Sequence, residues 1–332
     1  MARELAIYTR GLTKRFDRKF AVHNVDLDVA TGEVYGLIGP NGAGKTTLIR
    51  MLAAAEEPTV GDIFINGERL SRDRTQPTLN RHLGYLPEDF PVYDDLTVWD
   101  YLDYFARLYH LRSPRRERRI RDVLELVQLS HKRHSLISTL SRGMKQRLSL
   151  ARTVIHEPIL LLLDEPVSGL DPIARTQFRD TIKTLQEAGM TILISSHVLS
   201  DLAELCTSIG IMELGYLVES APLADLYRRL SRQQILISTL GDVSALDSAL
   251  DSALNGALNG ALNGELSDHP HVQRWEHLPG TQQVKVHFSG TPDDAAHLLR
   301  SLVSSGIPIH EFHCTQDNLE QIFLNLGHQQ AS

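Results

Sequence analysis

The stretch GPNGAGKTT (39–47) fits the spacing G-x-x-x-x-G-K-[ST] from Gly39 to Thr46. That spacing builds a loop that grips phosphate. Gly42 and Gly44 let backbone N–H groups turn inward, and Lys45 adds a point charge to the β- and γ-phosphate oxygens. Thr46 offers a hydroxyl to Mg²⁺. Pro40, Asn41 and Ala43 fill the loop, and Thr47 follows it. The flanks suit the purpose. EVYGLI (33–38) reads as a buried strand, and TTLIRMLAA (46–54) reads as a helix whose N-terminal dipole favours an anion.

A second acidic element follows in ILLLLDEP (159–166). Its apolar run reads as a strand buried on both faces, as in parallel sheets. Asp164 and Glu165 then stand at the carboxyl end of that strand, where open α/β sheets bind ligands. Side chains alternate along a strand, so the two acids take different tasks. Asp164 suits the Mg²⁺ shell, and Glu165 suits the polarisation of an attacking water. A third element, LSRGMKQR (140–147), places Ser141 and Gly143 at the start of another helix. This is an anion site without a base or metal ligand nearby, and so half of a site. Ser141 can also serve as the helix cap.

Five segments now stand in order: GPNGAGKTT (39–47), LSRGMKQR (140–147), LLLLDEP (160–166), SGLD (168–171) and SSH (195–197). Together they resemble the nucleotide-binding subunit of an ABC transporter, over residues 1 to about 220. The resemblance implies ATP as the nucleotide, Mg²⁺ beside it, and hydrolysis coupled to transport. It implies two ATPase subunits, identical or paralogous, packed head to tail. Ser141 and Gly143 of each would then hold the γ-phosphate bound by the partner's loop, and Asp171 would bridge across the dimer. His197 would contact the γ-phosphate and align Glu165. Phe16 occupies the place of an aromatic that stacks on adenine, with a core position as its alternative. A separate membrane-spanning permease would receive the work, so the chain is expected on the cytoplasmic face of the membrane, peripherally bound.

Two residues depart from the broad family pattern. Arg142 replaces the first Gly of the common LSGGQ form. Glu88, in YLPED (85–89), stands where most members have Gln. A Glu there either contacts the metal or anchors the loop. Glu at this place also recurs in a branch serving exporters of drugs, sodium, lipids or polysaccharides. Two rivals are a soluble ATPase of the same family acting on ribosomes or DNA, and a nucleotide switch that does not hydrolyse. Such soluble members usually carry two cassettes or long coiled coils. Here there is one cassette and no sustained heptad pattern. Intact Lys45, Asp164, Glu165 and His197 argue against the second rival.

The elements that must position these residues follow from the resemblance and from periodicity. The expected fold is α/β, a P-loop NTPase of the ABC ATPase type. It comprises a RecA-like core, an antiparallel β subdomain and a helical subdomain over about 89–158, followed by a small α+β accessory domain over 221–332. In DFPVYDDLTVWDYLDYFARLYHL (89–111) the pattern turns helical from Thr97, which can cap. In the family this region receives the permease, with Phe90, Tyr93 and Trp99 as contact candidates and the subdomain core as the alternative for Trp99. RSPRRERRIRD (112–122) holds six arginines. It reads first as a solvated helix face, and second as a lipid-touching patch.

In the tail, 233–239, 282–288 and 307–314 read as strands and 293–306 as a helix. Residues 317–326 read as an amphipathic helix similar to the closing helix of the exporter branch. A low-complexity insertion over about 242–267 repeats Leu every four residues and reads as a surface element, flexible or partly helical.

The bulk numbers agree. The chain has 332 residues, 42% hydrophobic and 23% charged, which suits a globular protein of two or three domains. A net charge of −7 does not suit a bulk nucleic-acid binder, and no nucleic-acid partner is expected. Two cysteines, without metal-ligand spacing, fit a reducing compartment. MARELAIYTR does not read as a secretory leader, and no apolar run is long enough to cross a bilayer.

Overall fold

The computed structural model describes residues 4–70, 81–89, 91–230, 233–240, 246, 250, 271–278 and 283–316. The chain divides into two compact units, Met1–Ala224 and Asp225–Ser332.

In the first unit an antiparallel sheet is built on β1 (Leu5–Phe16), which pairs with β2 (Lys19–Val25), β3 (Asp28–Ala30) and β5 (Val60–Ile65), and β5 pairs in turn with the short β6 (Glu68–Arg69). The central sheet has six strands. Its parallel part comprises β4 (Val34–Ile38), β7 (Leu83–Leu86), β8 (Leu160–Leu163), β9 (Thr191–Ser196) and β10 (Ser208–Glu213), with β11 (Tyr216–Pro222) antiparallel at one edge. The order β11-β10-β4-β9-β8-β7 puts β4, β9 and β8 side by side in the middle. Every residue of these three strands is buried. That is why their sequences are nearly unbroken apolar runs rather than alternating ones. The loops after β4, β8 and β9 therefore leave from one edge of the sheet, and they carry the three acid, base and phosphate segments. Because β11 stays paired through Ser208↔Pro222, the first unit continues past residue 220.

The helices that matter are α1 (Lys45–Leu52), α2 (Val98–Leu108), α3 (Arg115–Leu126), α4 (Arg142–Val154) and α5 (Pro172–Glu187). Thr97 caps α2 by accepting from the Asp100 N–H. Tyr93 is half exposed and Trp99 is partly buried; Phe90 lies outside the described residues. The arginine run forms α3 and the turn before it. Arg115 pairs with Glu157, Arg116 with Asp103, and Arg119 donates to the carbonyls of Val154 and Ile155 at the end of α4. Half of the run thus holds the subdomain together, and only Arg112, Arg118 and Arg121 remain for a solvated face.

In the second unit four antiparallel strands, β12 (Gln233–Thr239), β13 (Val272–His277), β14 (Gln283–Phe288) and β15 (Ile309–Gln316), take the order β13-β14-β12-β15. A helix, Pro292–Ser304, opens with a reciprocal Thr291–Asp294 capping box. One expectation is corrected here. Leu246 and Leu250 are fully buried among Ile235, Val286, Phe288 and Leu298, so the Leu-every-four pattern begins in the core and not on the surface. Leu246 and Leu250 both join the core that packs on the sheet. The rest of the 242–267 segment, and the expected helix at 317–326, lie outside the described residues. Among the described residues no helix is long and apolar enough to cross a membrane.

Candidate nucleotide site

The phosphate loop takes its shape from close packing. Gly44 sits at φ 106°, and a β-carbon on it would come within 2.2 Å of the Ala21 carbonyl oxygen. Only glycine tolerates both demands. Gly44 precedes α1, so Lys45 begins the helix with its side chain turned back over the loop. Its Nζ donates to the carbonyls of Gly39 at 2.7 Å and Pro40 at 3.2 Å, and lies 3.3 Å from Glu165 Oε1. The Lys45 and Glu165 side chains are only 5% and 7% exposed, so this charge pair is shielded from solvent.

The two acids end β8 in different ways. Asp164 accepts a hydrogen bond on Oδ1 from Ser195 Oγ at 2.7 Å, while its Oδ2 is buried and has no hydrogen-bond partner. Burial pushes the Asp164 carboxyl above the ordinary range, and the Ser195 and Thr46 hydroxyls pull it back. At Glu165 the backbone turns to φ 46°, leaving the strand. Its N–H donates to Ser195 Oγ at 2.9 Å, and its Oε2 meets His197 Nδ1 at 2.8 Å and the His197 N–H at 3.3 Å.

A cleft of about 730 Å³ brings most of the expected residues together. Asn41, Gly42, Ala43, Gly44, Lys45, Thr46 and Thr47 line it, with Glu165 and His197 facing them, and Phe16 and Glu88 on its wall. Phe16 is 47% exposed, with Lys14 Nζ 4.9 Å from its ring centroid, so it is not a core residue. Glu88 is exposed to the cleft. Gly39 and Pro40 act behind the wall by holding Lys45.

Ser141, Gly143 and Asp171 do not line this cleft. Ser141 caps α4, accepting from the Met144 N–H at 3.3 Å, and Asp171 caps α5, accepting from the Ala174 N–H at 2.9 Å. A β-carbon on Gly143 would come within 2.6 Å of the Ala174 methyl, so α4 and α5 touch through these small residues. Arg142, the departure from the family pattern, has a place of its own. Its guanidinium covers Gly169 and donates to the Ser168 carbonyl at 3.2 Å, tying the LSRG segment to SGLD. Four further residues belong to the site beyond those the sequence singles out: Ser195, and Lys19, Ala21 and Ser168 on the cleft wall. Ser195 stood within SSH, but its contacts depend on which strand lies beside β9.

A parallel sheet with a phosphate loop after one strand and an acidic pair after another defines a P-loop nucleoside triphosphate hydrolase. The family model described as ABC transporter matches residues 22–168. The bacitracin transport ATP-binding protein BcrA of Bacillus licheniformis is 33% identical over 322 residues, 96% of either chain. YcbN of Bacillus subtilis, an uncharacterized ABC transporter ATP-binding protein, is 39% identical over 66% of this chain and 70% of its own. The linearmycin resistance ATP-binding protein LnrL of the same organism is 31% identical over 72% and 76%. Among solved structures, an ATP-binding subunit of an ABC transporter superposes with a TM-score of 0.61 at 32% identity, covering 68% of this chain and 92% of that one. The chain belongs to the ABC transporter ATP-binding proteins. It is an ATP-binding and ATP-hydrolysing subunit of an ABC transporter.

Proposed function

We propose that two copies of this chain, or one copy and a paralogue, close head to tail around ATP on the cytoplasmic face of the membrane. A separate permease then converts closing and reopening into outward movement of an antibiotic-like cargo. One observation carries the reading. The cleft holds Lys45, Glu165 and His197, yet the second anion grip lies outside it: Ser141 is exposed at the start of α4, with Gly143 packed beneath it against Ala174. Supplied by a partner, it completes the cleft.

Within the cleft, Phe16 stacks on the adenine and the loop amides and Lys45 hold the phosphates; Thr46 on the wall, with Asp164 buried behind it and Glu88 beside the cleft, would hold Mg²⁺. The unpartnered, buried Asp164 Oδ2 fits a cation ligand. Mg²⁺ supplies charge neutralisation to the phosphate oxygens. Glu165 orients a water and takes its proton as the water oxygen bonds to the γ-phosphorus and the bond to ADP breaks. His197 fixes the Glu165 carboxylate through Oε2 and turns its other ring nitrogen to the γ-phosphate. Positioned proton transfer of this type contributes roughly 10²–10⁴-fold in rate. Tyr93 belongs to the permease-facing surface.

The test is size exclusion of Glu165→Gln with and without MgATP, beside the double variant Glu165→Gln with Ser141→Arg. ATP is expected to shift the single variant to a dimer and to leave the double variant monomeric. A single variant that binds ATP and stays monomeric rejects closure by this chain alone.

A further inference from the structure

Ser195 is fully buried, and both sides of its hydroxyl are used. A serine hydroxyl has one proton to donate and two lone pairs to accept with. Here the proton goes to Asp164 Oδ1, and a lone pair takes the N–H of Glu165. The two bonds fall on neighbouring residues whose backbone changes course between them. Asp164 still follows β8, while Glu165 stands at φ 46°, a region that residues with side chains seldom adopt. The Glu165 N–H has therefore left the strand ladder, and Ser195 recovers it. Strand β9 brings Ser195 alongside because Leu163 pairs with Ile194, one residue before each partner.

We infer that Ser195 is a positioning residue for ATP hydrolysis: by occupying Asp164 Oδ1 it leaves Oδ2 to the metal, and by holding the Glu165 N–H it fixes the base. This rests on the proposed placement of the metal at Asp164. The division of labour follows from spacing. Ser195 lies in β9 and His197 just beyond its end, and both reach the Asp164–Glu165 segment. Ser195 holds the Asp164 carboxylate and the Glu165 backbone, and His197 holds the Glu165 carboxylate. The hydroxyl is the required feature. Ser195 packs among the all-buried strands β4, β8 and β9, where an alkyl side chain would fit the surroundings better than an alcohol that bonds nothing.

The experiment uses the full chain and four variants: Ser195→Ala, Ser195→Thr, Ser195→Val and Asp164→Asn. Thr and Val have the same shape and differ in the hydroxyl. Mn²⁺, which reports by its electron spin resonance, replaces Mg²⁺ as the binding probe in the presence of ATP. A fluorescent ATP analogue without metal measures nucleotide binding separately. Partners that orient a metal ligand typically change metal affinity or activity about 10- to 100-fold. Ser195→Ala and Ser195→Val are expected to lose about ten-fold or more in Mn²⁺ affinity and in kcat. Their metal-free nucleotide affinity should stay unchanged, and Ser195→Thr should recover most of the loss. Equal losses in Thr and Val, or a parallel loss of metal-free binding, would reduce Ser195 to a packing residue and overturn the inference. Unchanged Mn²⁺ affinity in Asp164→Asn would instead reject the metal placement itself.

Discussion

Glu165 and His197 are joined twice through one oxygen: Glu165 Oε2 meets both the imidazole Nδ1 and the backbone N–H of His197. With Nδ1 facing a carboxylate, the imidazole presents Nε2 outward, at the cleft. The other carboxylate oxygen lies beside Lys45. The base is thus held on both sides, and its rotamer is not free to wander.

Turnover should respond accordingly. Glu165→Gln keeps the shape and loses the base, so phosphate release is expected to fall by roughly 10²–10⁴-fold with ATP affinity retained. His197→Ala leaves the base present but poorly aimed, and a fall of about 10²-fold is expected. Because the two act as a unit, the double variant should be little slower than Glu165→Gln alone. A double variant whose losses multiply would mean that His197 acts independently of Glu165.

The Gly143–Ala174 contact predicts a stability effect that is separate from nucleotide chemistry. Gly143→Val pushes a branched side chain into a gap that a single β-carbon would already crowd at 2.6 Å. Overpacking of this kind costs about 1–3 kcal/mol, which urea unfolding would read as a lower midpoint at unchanged slope. Unaltered stability would show that α4 and α5 can separate at little cost, as a movable interface would.

How far the site was legible in the sequence depends on whether a residue's role is local. Lys45 and its glycines are read from spacing alone, because strand, loop and helix are continuous in the chain. Asp164 and Glu165 are read from the end of an apolar run. Ser195 is not, since its role arises from β9 lying next to β8, a pairing between residues 31 apart. Phe16 had core and cleft readings open, and only the exposed end of β1 decides between them. Leu246 and Leu250 stand in a repetitive segment whose composition masks two residues of the core. In sequence the arginine run reads as one feature, although its members divide between structure and solvent.

That division can be measured. Arg119 donates to Val154 O at 2.6 Å and Ile155 O at 3.1 Å, which satisfies carbonyls that the end of α4 leaves open. Arg119→Ala is expected to cost about 1.5–3 kcal/mol, as for hydrogen bonds to charged groups. Arg118 and Arg121 are exposed on α3, and alanine at either should change stability by no more than about 0.5 kcal/mol. Equal effects at 118 and 119 in urea unfolding would show that the two are not differently placed.

His156 predicts the pH dependence. Its ring stacks on Tyr109 at 3.9 Å and 9°, and Nε2 bonds the Leu83 carbonyl at 3.1 Å. Nε2 is then the donor, which leaves Nδ1 buried and unpartnered. Protonating Nδ1 would create a buried N–H with no acceptor. Burial accordingly holds His156 below the ordinary histidine range; the Leu83 bond opposes this and nearby Arg119 adds to it. In the unfolded chain the group returns to about 6.5. Between those two values the unfolded state binds more protons, so stability falls as pH drops from about 6.5 towards the folded value, and is level above it. One such group gives a slope of at most about 1.4 kcal/mol per pH unit. His287, also depressed by burial, adds a slope of the same sign. His156→Phe keeps the stacking and removes the proton site, so the loss of stability between neutral and mildly acidic pH should shrink without vanishing. Calorimetric melts of both proteins across that range would check it, and an unchanged slope would mean that His156 titrates alike in the folded and unfolded chains.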